Sequence, residues 1–150
     1  MNPLAIRIGT AAGVVVAAAA LAAAGPHDVT RPRLEKSLQA TFTNLYLQQQ
    51  NTVLGHRSVT AASMGASTSC QRTASPSDVG AGPDWICHIL WTDSTGAKQD
   101  GKFELAAKAS YCYVAGGPSK IVGPLTITDV HGRQVLNPLF EFDACYDPAS

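Results

Sequence analysis

Residues Gly101 to Val114, GKFELAAKASYCYV, alternate between apolar and more polar side chains. Phe103, Leu105, Ala107, Ala109, Tyr111 and Tyr113 share one parity. Glu104, Ala106, Lys108, Ser110, Cys112 and Val114 share the other. A period of two sustained this far predicts one long strand with a buried face and a wetter face. The buried face must be covered, so the rest of the chain has to supply a second layer.

Arg33 to Asn51 supplies it. Leu34, Leu38, Phe42, Leu45 and Tyr46 recur at steps of three or four, opposite Lys36, Gln39, Thr43, Gln48 and Gln50. That is one apolar stripe of an amphipathic helix. Thr30 is placed to cap it, Pro32 fits its first turn and Gly55 its stop. Further strands are expected at Ser58 to Ala62 and Ala66 to Gln71, broken near Gly65, and at Asp84 to Thr92. In the last of these Trp85, Cys87, Ile89 and Trp91 lie on one side and Ile86, His88 and Leu90 on the other. Two fairly apolar sides predict a central or well-covered strand. Thr73 to Pro83 reads as a loop. Ile121 to Asp129 and Gln134 to Cys145 read as a hairpin turning at Val130-His131-Gly132-Arg133, with Asn137-Pro138 forcing a bulge or an edge. Phe140 and Phe142 are expected to face the core.

The N-terminus addresses location. Arg7 precedes Ile8 to Ala24, an uncharged Ala/Val-rich run ended by Gly25-Pro26. Ala22-Ala23-Ala24 fits a small-x-small cleavage site. The run also sits at the lower limit of the roughly 17–25 residues that span a bilayer. Either way Arg7 stays cytoplasmic and the remainder faces outward. A net charge of +0 gives no bulk attraction to nucleic acid or to anionic membranes. The expected organisation is a signal peptide or single-pass anchor over 1–26, a tether over 27–33 and an extracytoplasmic domain over 34–150.

The four cysteines are Cys70, Cys87, Cys112 and Cys145. An even count, wide spacing and no CxxC pair predict disulfides in an oxidising compartment. Cys112 and Cys145 both lie on the polar sides of their strands, and Cys70 and Cys87 flank the Pro/Gly loop. The favoured pairing among three is therefore Cys70–Cys87 with Cys112–Cys145.

No HExxH, GxSxG, phosphate-binding glycine loop or EF-hand spacing is present. Of the four histidines only His88 lies within a strand, and the bland reading is a satisfied structural residue. Glu141 and Asp143 share one side of a strand, but paired strand carboxylates usually form a solvated face. Trp85 and Trp91 read as core rather than as a sugar- or peptide-binding stripe. No catalytic residue, cofactor or metal site is expected.

The segments GPDWICHILWTD, GKFEL, GPSKIVGPLTITDVHGR and NPLFEFDACYDP resemble small uncharacterised envelope proteins of actinobacteria. The likeness covers about residues 30 to 148 and implies one N-terminal hydrophobic segment and one extracytoplasmic domain. The cysteine order is similar to that of the secreted subtilisin-inhibitor family of Streptomyces, which would imply a reactive bond near Val114-Ala115. The helix at Arg33 to Asn51 departs from that family, as does Tyr113, where the inhibitor loop carries proline.

The expected fold is α+β: one N-terminal amphipathic helix on a curved antiparallel sheet of four to five strands, preceded by a hydrophobic signal or anchor helix. The expected function is a non-catalytic extracytoplasmic binding or structural module of the cell envelope. Its expected partners are an envelope protein or glycan, and the membrane if the N-terminal segment is uncleaved; no nucleic acid is expected. The alternatives are a secreted protease inhibitor and an enzyme of unrecognised type.

Overall fold

The computed structural model describes residues 28–146. The expected signal or anchor segment lies outside them. No helix among the described residues is long and apolar enough to cross a membrane.

Helix α1 spans Arg31–Leu47 and runs without interruption into a π-helical turn, Gln48–Val53. Thr30 stands at the N-cap position, but its side chain makes no capping bond; the Asp78 carbonyl accepts the Arg31 N–H instead, at 3.0 Å. Val29 is buried and Thr30 bridges to Val79, so residues 29–33 belong to the domain rather than to a tether. Leu34, Leu38, Phe42 and Tyr46 form the buried stripe that the sequence pattern predicts.

The second layer is a five-stranded antiparallel sheet in the order β1-β2-β3-β4-β7. Its strands are β1 (Ser67–Arg72), β2 (Gly82–Thr92), β3 (Lys98–Ala107), β4 (Cys112–Gly116) and β7 (Glu141–Cys145). A separate ribbon pairs β5 (Thr126–Thr128) with β6 (Gln134–Leu136). Two single-turn helices complete the fold, α2 (Ala61–Met64) and α3 (Ser119–Val122).

The expected long strand from Gly101 to Val114 is a hairpin. The chain reverses over 108–111, where Tyr111 takes a positive φ of 68° and Lys108 N–H bonds the Cys112 carbonyl at 2.8 Å. Ala107 then lies opposite Tyr113. These partners differ by an even number of residues, so the alternation passes through the reversal unbroken.

Other segments also differ from the expectation. Ser58 to Ala62 is not a strand, because Thr60 and Ser63 form a reciprocal capping box that nucleates α2, and Gly65 closes it in the left-handed region at φ 54°. Ile121 to Asp129 is split between α3 and β5. Asn137-Pro138 does interrupt its strand, and the buried side chain just beyond is Leu139 rather than Phe140, with Phe142 buried as expected. β2 is an inner strand, next to the edge strand β1, and its second side is uncovered: Leu90 is 50% exposed.

The core lies between α1 and the inner sheet face. Phe42 packs against Tyr46, Trp91 and Phe103, with ring centroids 5.8, 4.8 and 5.5 Å away, and Phe103 meets Phe142 at 6.2 Å. Burial of each such ring stabilises by about 1.5–3 kcal/mol. Gly101 occupies an inward position of β3 because these rings leave no room. A Cβ there would lie 2.8 Å from Phe103 and 3.0 Å from Trp91.

Both expected disulfides are present, Cys70–Cys87 and Cys112–Cys145. Each joins directly opposed residues, linking an edge strand to its inner neighbour. Their Cα separations, 4.0 and 3.9 Å, match the narrow pairs of an antiparallel ladder. In a narrow pair the backbone N–H and C=O point away from the partner strand. At the sheet edges those groups meet α1. Glu35 Oε1 accepts the Cys70 N–H at 2.8 Å, and Ser37 Oγ approaches the Cys145 carbonyl at 3.5 Å. Two disulfides fit an oxidising, extracytoplasmic environment.

The loop between β1 and β2 is tied from within. Arg72 forms a two-point ion pair with Asp84, at 2.9 Å on both oxygens, and donates to the Val79 carbonyl at 2.9 Å. The Arg72 guanidinium holds the Asp84 carboxyl below its ordinary range. Arg31 pairs with Asp78 on the same loop, joining it to the start of α1.

Candidate functional site

The residues singled out in the sequence do not converge. His88 stands on the open sheet face, with Nδ1 2.8 Å from Asp100 Oδ1 and Ser69 opposite it on β1. A hydroxyl, an imidazole and a carboxylate therefore lie in a row. No hydrogen bond joins Ser69 to His88, and the flat face offers no walls or oxyanion donors. Glu141 and Asp143 are exposed on β7, opposite Gly116 and Val114. Trp85 is core, with Nε1 bonded to the Gly80 carbonyl at 3.0 Å. Val114 and Ala115 form no exposed loop: they lie within β4, paired on one side to β3 and on the other to β7, with Ala115 fully buried. The position inferred for an inhibitory reactive bond is thus inside the sheet.

The richest polar constellation lies where α1 turns into the π segment. A regular helix separates consecutive side chains by about 100°, so two neighbours rarely face the core together. The wider turn, seen in the Leu54 N–H bond to the Gln49 carbonyl at 2.9 Å, buries both Gln49 and Gln50. π turns of this kind are often found at functional sites.

A directional hydrogen-bond chain runs outward from Asn137. Its amide Nδ2 donates to the Val122 and Pro124 carbonyls at 2.8 and 3.0 Å, and its Oδ1 accepts the Leu139 N–H at 3.0 Å. Oδ1 therefore also accepts from Gln49 Nε2, at 2.8 Å, and Gln49 Nε2 reaches the Val122 carbonyl at 3.1 Å as well. Gln49 Oε1 then accepts from Gln50 Nε2 at 2.9 Å, leaving Gln50 Oε1 to accept from His56 Nδ1 at 2.8 Å. Three carbonyl and amide partners at the buried end thus fix the proton on Nδ1 of an exposed imidazole, with Nε2 as the remaining acceptor.

His56, Gln49 and Gln50 line a cleft of about 270 Å³ together with Tyr46, Trp91, the Asp93-Ser94 turn and Gln99, and with Leu54 and Ile121. Asp93 is saturated: Oδ1 accepts Thr95 N, Thr95 Oγ1 and Ala97 N at 2.8, 2.6 and 3.0 Å, and Oδ2 accepts Gln99 Nε2 at 2.7 Å. Led by the Thr95 hydroxyl, these donors hold its pKa at about 2. The Tyr46 hydroxyl accepts the Ser94 N–H at 3.2 Å, and burial pushes that phenol above its ordinary value. Trp91 is 3% exposed, and its indole N–H, turned toward the Tyr46 hydroxyl, has no partner at hydrogen-bonding geometry.

A larger hollow of about 570 Å³ lies between α1 and α2, lined by Lys36, Gln39, Thr43, Asn44 and Gly65. None of its polar side chains is held by a hydrogen bond to another element, so nothing there would orient a ligand. Among the described residues, no three His, Cys, Asp or Glu side chains are grouped to hold a metal ion.

Of the cleft, the sequence pattern marks Tyr46 and Trp91 as core and puts Gln50 on the polar side of the helix, whereas the π turn buries Gln50. The Gln48-Gln49-Gln50-Asn51 run looks like the solvated end of a helix, and His56 like a loop residue. Comparison with protein-family models, with curated proteins and with solved structures gave no match.

Proposed function

We propose that the protein is a non-catalytic extracytoplasmic binding module of the cell envelope, and that the cleft at the π turn is its ligand site. The observation that carries this reading is the chain from Asn137 to His56. It spends buried amides on holding one exposed ring in a single tautomer and orientation. Buried polar groups weaken a fold unless every member is satisfied, and a fully satisfied network fixes geometry instead. The Tyr46 hydroxyl, whose oxygen accepts the Ser94 N–H, keeps its own O–H to donate to an entering acceptor.

The two disulfides support the location. The run from Ile8 to Ala24 would deliver the domain, either retained in the membrane or released by cleavage after Ala24. The mass of the exported protein separates these two outcomes.

The binding reading is tested by amide-detected NMR of the isotopically labelled protein. The protein is titrated with separated glycan and peptide fractions of digested envelope material. Saturable shifts clustered at Tyr46, Trp91, His56 and Gln99 are expected for at least one fraction. Shifts confined to the open sheet face, or none from any fraction, reject the cleft as the ligand site.

A further inference from the structure

Granting that the cleft is a ligand site, we infer that it takes a neutral, hydroxyl-rich ring of monosaccharide size, such as one residue of an envelope glycan. Charge is the first argument. No Lys or Arg lines the cleft, which leaves a phosphate or carboxylate ligand without a counter-ion. Its one carboxylate, Asp93, already accepts four hydrogen bonds from its own turn and from Gln99, so a cationic ligand would have to compete with these donors for its oxygens.

The second argument is the sense of the hydrogen bonds still available. With Nδ1 committed to Gln50, neutral His56 offers an acceptor at Nε2. Gln50 Nε2 uses one N–H toward Gln49 and keeps a second. The Tyr46 oxygen accepts the Ser94 N–H, which leaves its own O–H as a further donor. Donors and acceptors thus line the same cleft, and a hydroxyl group serves both senses at once.

The third argument is shape. Ligand pockets generally measure about 300–1,000 Å³, and this one is smaller at about 270 Å³. It suits one ring rather than an extended peptide. Ile121, 40% exposed at the rim, and Leu54 present apolar surface to the C–H face of such a ring. Trp91 packs against Phe42 and Tyr46, with centroids 4.8 and 6.0 Å away, so its ring is not a stacking platform and serves to fix the Tyr46 ring beside the cleft.

The test titrates the labelled protein with neutral hexoses and pentoses beside glucosamine and glucuronate. At least one neutral sugar is expected to shift the Trp91 indole N–H and the Gln50 side-chain amide saturably. His56→Ala, assayed well below its melting transition, should bind it at least tenfold more weakly, and Ile121→Ser should weaken it several-fold. Preference for either charged sugar overturns the inference, as does an unaltered affinity in His56→Ala. If no sugar shifts the cleft while a peptide fraction does, the ligand class is wrong and the binding site stands. If neither does, both readings fall.

Discussion

Glu35 Oε1 accepts the backbone N–H of Cys70 at 2.8 Å, so a helix carboxylate closes the outer edge of β1 at the residue whose sulfur locks the inner edge. Glu35→Ala leaves that N–H without its acceptor and should cost about 1–2 kcal/mol, as expected for a part-buried charge-assisted bond. Glu35→Gln should recover most of the loss. Urea unfolding measures both variants, and amide exchange at Cys70 should quicken in the alanine variant alone.

The two disulfides should differ in accessibility more than in worth. On the loop-entropy model, removing Cys70–Cys87 as a pair of alanines costs about 3 kcal/mol and removing Cys112–Cys145 about 4 kcal/mol. Cys70 and Cys87 are buried, whereas Cys112 is half-buried and Cys145 exposed. Mild reductant without denaturant should therefore open Cys112–Cys145 first, as read by differential alkylation and mass spectrometry. Reduction in the opposite order would contradict the assigned burial.

Acid should unfold the domain through Asp93 and Asp129. The Arg133 backbone N–H, assisted by the Arg133 guanidinium and the His131 N–H, holds Asp129 at about 2, as the donors named above hold Asp93. An unfolded aspartate titrates near 3.9. Both folded values are depressed, so the stabilisation is fully present above about pH 4 and is lost as pH falls toward 2. Thermal melts between pH 5 and 2 should show this loss, and Asp93→Asn and Asp129→Asn should each flatten the slope. An unchanged slope in both would overturn the assignment.

Asn137→Ala removes two donors and one acceptor from buried partners and should cost about 3 kcal/mol, near the upper part of the usual range for single substitutions. Asn137→Asp loses the donors that hold the Val122 and Pro124 carbonyls and should fare no better. In either variant the imidazole of His56 loses the far end of its chain. Its ring ¹⁵N shifts should then report a mixture of tautomers in place of one.

Much of the sheet is legible because parity is a robust signal. Parity puts Cys112 and Cys145 on one face whether the segment from Gly101 to Val114 is one strand or a hairpin. Antiparallel partners across the 108–111 reversal have an even index difference, so the inward set Phe103, Leu105, Ala107 and Tyr113 holds on both arms. The reversal itself was hidden because Tyr111, not glycine or asparagine, takes the positive φ there. It is held by the Tyr111 carbonyl, which accepts the Tyr146 N–H at 2.8 Å, and by ring contact with Tyr146, both contacts remote in sequence. The cleft was illegible for a related reason. Nothing in a run of glutamines announces a π turn, and the bonds that give Gln49 and Gln50 their role come from Asn137, far along the chain.

Because α1 touches both rims of the sheet, at Cys70 and at Cys145, its detachment would release both edge strands in one event. Each is a template on which another copy of the chain can add. Partial unfolding of this protein should therefore lead to growth in two directions and to fibrous polymers rather than to closed dimers. The disulfides would not prevent it, since they keep the strands assembled while the helix is away.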